Sequence, residues 1–191
     1  KDDALERGKK WIKKKFFAPN NLKKEFNVDN FKGMYVPAFS FDTFTSSNYD
    51  GRLGYKRTRT VMKDGQRVEE SYIEWHHVSG QYDKSFVDEI IEATTQLNQK
   101  EMNGILPYDM EEVVGYKREY VAGFISERYD TPLDDSFSLL KIEIEKTIRQ
   151  DIKAEYKADE IDYLNIDPSY LDTKFRYAML PIWLCKYAYK E

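Results

Sequence analysis

The clearest pattern in the chain is a three- and four-residue recurrence of apolar positions, Leu133, Phe137, Leu140, Ile144, Ile148, Ile152 and Tyr156. That spacing predicts one long amphipathic helix over 132–157. Thr131 stands at its cap, Pro132 opens its first turn, and Asp134 and Asp135 follow where the helix dipole favours acids. A weaker pattern, Leu5, Trp11, Ile12 and Phe16 among lysines, predicts a short amino-terminal helix over 4–17, stopped by Pro19 and the pair Asn20, Asn21.

From Lys32 the period shortens to two. Met34, Val36 and Ala38 read as a strand with Pro37 in it, Asn48 to Gly51 as a turn, and Arg52 to Met62 as a second strand. Asp64-Gly65 is a hairpin signal, and Arg67 to Ser79 returns from it. A β-meander over 32–79 is the expectation. In its last strand Tyr72, Glu74, His76 and Val78 share one face, and Ser71, Ile73, Trp75 and His77 the other. Region 80–130 is mixed: Phe86, Val87, Ile90, Ile91 and Leu97 fit neither period, which suggests a strand start, a loop and a short helix, and Tyr120 to Ile125 reads as another strand. Three strands, 161–167, 174–180 and 181–189, account for the carboxy-terminal 160–190. The sum is a single α+β domain over 1–191, a mostly antiparallel sheet with one long amphipathic helix packed on it and a short N-terminal helix. The first residue is Lys rather than Met and the last follows a strand-like run, so the expectation is a fragment of a longer product.

Composition changes the picture in one respect. Charged residues are 34% of 191, a level that invites disorder, but 11 Phe, 15 Tyr and 3 Trp supply a core. No uninterrupted apolar run exceeds the nine residues from Tyr177 to Cys185, far short of the roughly 18 residues of a membrane span. This segment is expected to be soluble, to make no membrane contact, and to lie in the cytoplasm, since the lone Cys185 cannot form an internal disulfide.

Charge is unevenly placed within the net −4. Gly8 to Lys24 holds seven lysines and no acid, and Arg52 to Arg67 holds six bases against Asp64. Aromatics interleave both stretches, so Lys13, Lys14, Lys15, Arg52, Lys56, Arg57 and Arg59 are the candidate nucleic-acid contacts, against the plainer reading of solvated surfaces.

Catalytic chemistry is harder to find. The phosphate-loop, dinucleotide, zinc-protease and serine-hydrolase signatures are all missing. His76 and His77 are adjacent and point to opposite faces of a strand, so they cannot chelate one metal there, although Glu74 with His76 makes half of an acid-base pair. Cys185, between apolar neighbours, reads as an inert thiol, and Asp159, Glu160 and Asp162 lack a calcium-loop spacing. No catalytic residue, metal ligand or cofactor is assigned.

Several segments together carry a resemblance: Gly33 to Phe39 with Phe41 and Asp42, then Leu106 to Asp109, Tyr120 to Phe124 with Glu127 to Tyr129, and Phe175 with Leu180 to Trp183 and Tyr187 to Tyr189. In this order they resemble a family of bacterial proteins that contain a zinc ribbon of the transcription-factor-B type and are often labelled as related to the primosomal helicase PriA. The resemblance implies a ribbon, with its zinc, ahead of this region, and in some members a later membrane tether. It implies no activity, because helicase motor motifs are missing here. The expected function is therefore a non-catalytic macromolecular-binding module whose partner is a protein or a nucleic acid. A replication accessory domain and an enzyme using His76 or His77 are the alternatives.

Overall fold

The computed structural model describes residues 6, 7, 10, 31–95, 104, 108, 110–126 and 128–185. Four strands dominate it. β1 is Phe31–Lys63, β2 is Gln66–Glu92, β3 is Ile125–Ser126 and β4 is Glu160–Cys185. The helices are α1, Arg118–Val121, and α2, Leu133–Glu155, with a single 3-10 turn at Met110–Glu112. β1 lies between β2 and β3 in the hydrogen-bonded order and also pairs with β4.

This overturns the α+β expectation. Strand makes up 61% of the described residues and helix 23%, so the protein is largely β. The cause lies in signals that were read as breaks. Asn48 to Gly51 forms no turn: β1 runs straight through it, and a Cβ on Gly51 would sit 2.6 Å from Leu164 Cδ1, so this glycine serves close packing against β4. Likewise β2 continues through 80–92, where a loop and helix were expected, and β4 is one strand where three were read, with Pro168 and Pro181 inside it. Conversely, Tyr120 to Ile125 is not a strand. Its first half is α1, and only Ile125 and Ser126 pair, parallel to Met34 and Tyr35 of β1. Of the expected helix over 4–17, residues 6, 7 and 10 are helical and the rest lies outside the described residues.

The expected hairpin forms at Asp64 and Gly65, whose φ of 50° and 78° give the primed turn that matches strand twist. Further along, β2 acquires one residue more than β1. Gly80 faces Tyr49, whereas the Ala93 N–H bonds Pro37 O. Asp88, left-handed at φ 56°, is the extra residue, a β-bulge. Its N–H bonds Asp42 Oδ1 at 2.9 Å, Ser40 donates to its carboxylate, and Arg176 forms ion pairs with both Asp42 and Asp88. A second left-handed residue, Asp172 at φ 50°, lies within β4. Such kinks suit long edge strands, which otherwise present flat templates for aggregation.

The chain divides into two compact units. The first comprises Lys1–Phe39, Glu92–Leu133 and Tyr177–Glu191, and the second Ser40–Ile91 and Asp134–Arg176. In the second unit α2 covers one face of the sheet. Leu140, Ile144, Ile148 and Ile152 are each at most 1% exposed, and Phe41, Leu53, Phe86 and Leu164 belong to the same core. Burying each such side chain contributes about 1.5–3 kcal/mol. The helix ends in a Schellman motif, with Ala158 N–H on Lys153 O and Lys157 N–H on Ala154 O, which places Lys157 at φ 52°. In the first unit Val36 and Ala38 of β1 are fully buried, with Ala178, Leu180 and Ile182 of β4 also in the core.

Candidate functional site

The second unit carries four of the seven residues expected to contact nucleic acid; Lys13, Lys14 and Lys15 lie outside the described residues. Arg52, Lys56, Arg57 and Arg59 sit on β1 where it approaches the hairpin; the Asp-Gly turn sets the register that brings acids of β2 to Arg57 and Arg59, and β4 brings acids to Arg52 and Lys56. Each has a carboxylate: Arg52 with Asp162 at 3.3 Å, Lys56 with Glu160 at 3.7 Å, Arg57 with Glu74 at 2.9 Å and Arg59 with Glu70 at 2.8 Å. Aromatic rings complete the arrangement, with Arg52 over Trp75, Arg57 over Tyr55 and Arg59 over Tyr72. The bond from Arg57 is the main reason the Glu74 carboxyl is held below its usual range. At these four positions what the sequence presents as a basic stretch is a ladder of cross-strand pairs; Lys63 and Arg67 have no ion pair among the described residues.

The two histidines part as the strand period requires. His76 stacks edge-on against Tyr55 and lies 3.5 Å from Glu74 Oε1. His77 shares a 3.3 Å hydrogen bond with the Tyr163 hydroxyl, and the two rings border a cleft of about 230 Å³ with Asp50, Gly51, Val78 and Ser79. Among the described residues, no three His, Cys, Asp or Glu side chains gather where they could hold a metal ion.

A concavity in the first unit lies outside the expected sites. It is a half-open hollow of about 1220 Å³, floored by Tyr35 of β1 and Tyr177 to Pro181 of β4, and walled by Tyr108, Met110, Val113, Val114, Tyr116, Tyr120, Val121 and Tyr129. Six tyrosines therefore line it, while Glu112 and Arg128 are its charged members. The wall is held at a few points. The Tyr108 hydroxyl donates to Pro181 O at 2.7 Å, and burial pushes its pKa up. Tyr129 meets Tyr177 edge to face, 5.9 Å between centroids, and Tyr177 in turn meets Phe39. Phe124 packs onto Tyr35, Trp183 and the backbone of Gly33. Asp130 then fixes the exit from the wall: its carboxylate accepts from both the N–H and the hydroxyl of Thr95, at 2.8 and 2.7 Å, chiefly for which reason its pKa is lowered.

Within this frame several apolar surfaces remain uncovered. Val114, Tyr116 and Tyr129 are 66%, 68% and 60% exposed. Aromatic bodies with hydroxyl tips, left open around a concave floor, are the composition of protein interfaces rather than of solvated surface. The described wall residues, 110–126, 128 and 129, hold only a 3-10 turn, the four residues of α1 and the two of β3, too short for helical or strand periodicity to reveal them. Only the density of tyrosines hinted at the wall.

No family model matches the chain, and no solved structure matches it. It is similar to the uncharacterized protein YdjG of Bacillus subtilis (strain 168), at 25% identity over 197 residues, an alignment that takes in all of this chain and 55% of that protein. The chain thus spans about half the length of this relative, whose name assigns no activity.

Proposed function

We propose that the chain is a non-catalytic module that binds another protein through the tyrosine-lined hollow of its first unit. The observation that carries the reading is the hollow itself: about 1220 Å³ of mostly apolar, aromatic surface, with four of its wall side chains, Val113, Val114, Tyr116 and Tyr129, more than half exposed. Tyrosine gives a large contact area at the cost of ordering two torsions and keeps a hydroxyl for a partner's backbone, which is why it is enriched where proteins meet. The nucleic-acid reading has less support, because the arginines that would meet phosphates already hold carboxylates. In this proposal the module works inside a longer cytoplasmic protein of the zinc-ribbon type, the metal belonging to that ribbon. A pair of C-x-x-C motifs upstream in the full reading frame is the check on that part.

The binding reading is tested by placing a photo-crosslinking amino acid at Tyr116 or Tyr129 in the hollow, and at Met62 on the exposed hairpin as a control, in cells producing the protein. The expected result is one discrete adduct from the hollow positions, absent from Met62 and lost when Val114→Ser and Tyr120→Ala are added. Adducts of equal yield and pattern from all three positions would overturn it.

A further inference from the structure

One face of the second unit's sheet is covered by α2, and the described residues of the other, the bare face, are largely exposed. On the covered face Tyr82 and Lys84 bond Asp151 of α2, Tyr49 bonds Tyr156 just beyond that helix, and Phe41 meets Phe137. Side chains one residue out of step point the opposite way. There Gln81 donates to Ser46 and Asp83, Asn165 donates to Asp50, and His77 meets Tyr163, so these residues share the bare face, and alternation adds Asp167, Phe44 and Leu171.

The charges of this unit divide accordingly. Glu70, Glu74, Asp151, Glu160 and Asp162 each have a lysine or arginine, and Asp42 and Asp88 share Arg176. Asp50, Asp83 and Asp167, all exposed and all on the bare face, have none within 4 Å among the described residues. Hydrogen bonds from Gln81 and Ser46 keep Asp83 readily ionised. Phe44 and Leu171 are 37% and 47% exposed here, and Trp75 and Tyr163 flank the other end. By the same alternation Arg67 and Glu69, towards the hairpin, and Lys174, beyond Asp172, also stand on this face without an ion pair among the described residues, but the stretch between them leaves three carboxylates beside apolar side chains and is complementary to a positive and partly apolar partner. Phosphate backbones have the wrong sign.

We propose that this face docks a basic, amphipathic segment of a partner protein, its lysines or arginines meeting Asp50, Asp83 and Asp167 and its apolar side chains lying on Phe44, Trp75 and Tyr163. Ser46, level with Asp83, and Asp50 are four residues apart on β1, about 13 Å at strand rise, so an extended segment with basic side chains at that interval fits. This site is independent of the tyrosine hollow and does not require it.

The test uses the whole chain and a fluorescein-labelled peptide of alternating lysine and leucine, followed by anisotropy at about 50 and 150 mM salt, a range over which exposed charges are increasingly screened. Saturable binding that weakens with salt is expected. Asp50→Asn with Asp83→Asn and Asp167→Asn should weaken it about tenfold or more, while Asp64→Asn with Glu119→Gln and Glu155→Gln, the same charge change off the face, should leave it unchanged. Asp50→Glu with Asp83→Glu and Asp167→Glu should restore it. Both neutralised variants are checked for unaltered far-UV circular dichroism and urea midpoint. With the unaltered protein, a glutamate-leucine peptide should not bind and duplex DNA should not compete. Equal weakening by the two neutralised variants, competition by DNA, or no binding of the lysine-leucine peptide at the lower salt would overturn the proposal.

Discussion

The bulge at Asp88 supplies the sharpest test of the backbone, because its cost and its compensation separate by substitution. A non-glycine residue in the left-handed region carries about 1–2 kcal/mol of strain, part of which aspartate recovers through local bonds. At φ 56° Asp88 accepts from Ser40 and pairs with Arg176, while its N–H is held by Asp42. Asp88→Ala keeps the strain and loses the acceptor, about 1 kcal/mol for the hydrogen bond and under about 1 kcal/mol for a half-exposed ion pair, or about 2–3 kcal/mol in all with the unrelieved strain. Asp88→Gly loses the same bonds but is at ease in the left-handed region, so it should cost about 1 kcal/mol less than alanine. Asp88→Asn, which tolerates the conformation and keeps an acceptor, should cost under about 1 kcal/mol. Urea unfolding followed by far-UV circular dichroism, with matched m-values, measures all three. Alanine and glycine variants of equal stability would refute the reasoning, since that difference isolates the backbone.

Three further outcomes follow from the second unit. Ile148→Ala, at a fully buried position of α2, should cost about 2–5 kcal/mol in the same unfolding experiment. Lys157→Gly, at the left-handed residue that ends α2, should instead stabilise by about 0.5–1 kcal/mol and raise the thermal midpoint. Burial first, and Glu143 as a lesser cause, raise the Glu89 carboxyl above its ordinary value, against the pull of Lys84. The folded state therefore binds this proton more tightly than the unfolded one, and stability is lost as pH rises through the unfolded value near 4.3 towards the raised one. Glu89→Gln should then be more stable than the parent at neutral pH, with the gain vanishing below about pH 4; a gain that grows on acidification would contradict the assignment.

What could be read from the sequence depended on whether one element satisfied its own pattern. α2 needs one apolar stripe, and its stripe, acidic first turn and approximate length are all visible in residues 132–157. The Asp64-Gly65 turn is equally local. The strands are different. Gly51 looks like a turn residue until Leu164, far away in sequence, is placed against it, and Pro168 and Pro181 look like breaks until β4 is seen to pass through them. The register slip at Asp88 leaves almost no mark, because a bulge residue differs from its neighbours only in φ. Such non-local causes made a largely β protein read as α+β.

The same non-locality governs the electrostatics. Counted along the chain, Arg52 to Arg67 is a basic segment, but in a sheet the charge of one strand acts together with that of the strand beside it. Hairpin register sets Glu70 and Glu74 against Arg59 and Arg57, and β4 brings Asp162 and Glu160 to Arg52 and Lys56. The field that remains is then set by the residues left over from pairing, and in the middle of the exposed face these are the acids Asp50, Asp83 and Asp167, with Arg67 and Lys174 towards its ends. Pairing has removed most of the positive excess that the linear count suggests, at Arg52, Lys56, Arg57 and Arg59. The four bases expected to meet phosphates hold carboxylates instead, and the charge pattern of this unit follows the topology of β1, β2 and β4 rather than the order of their residues.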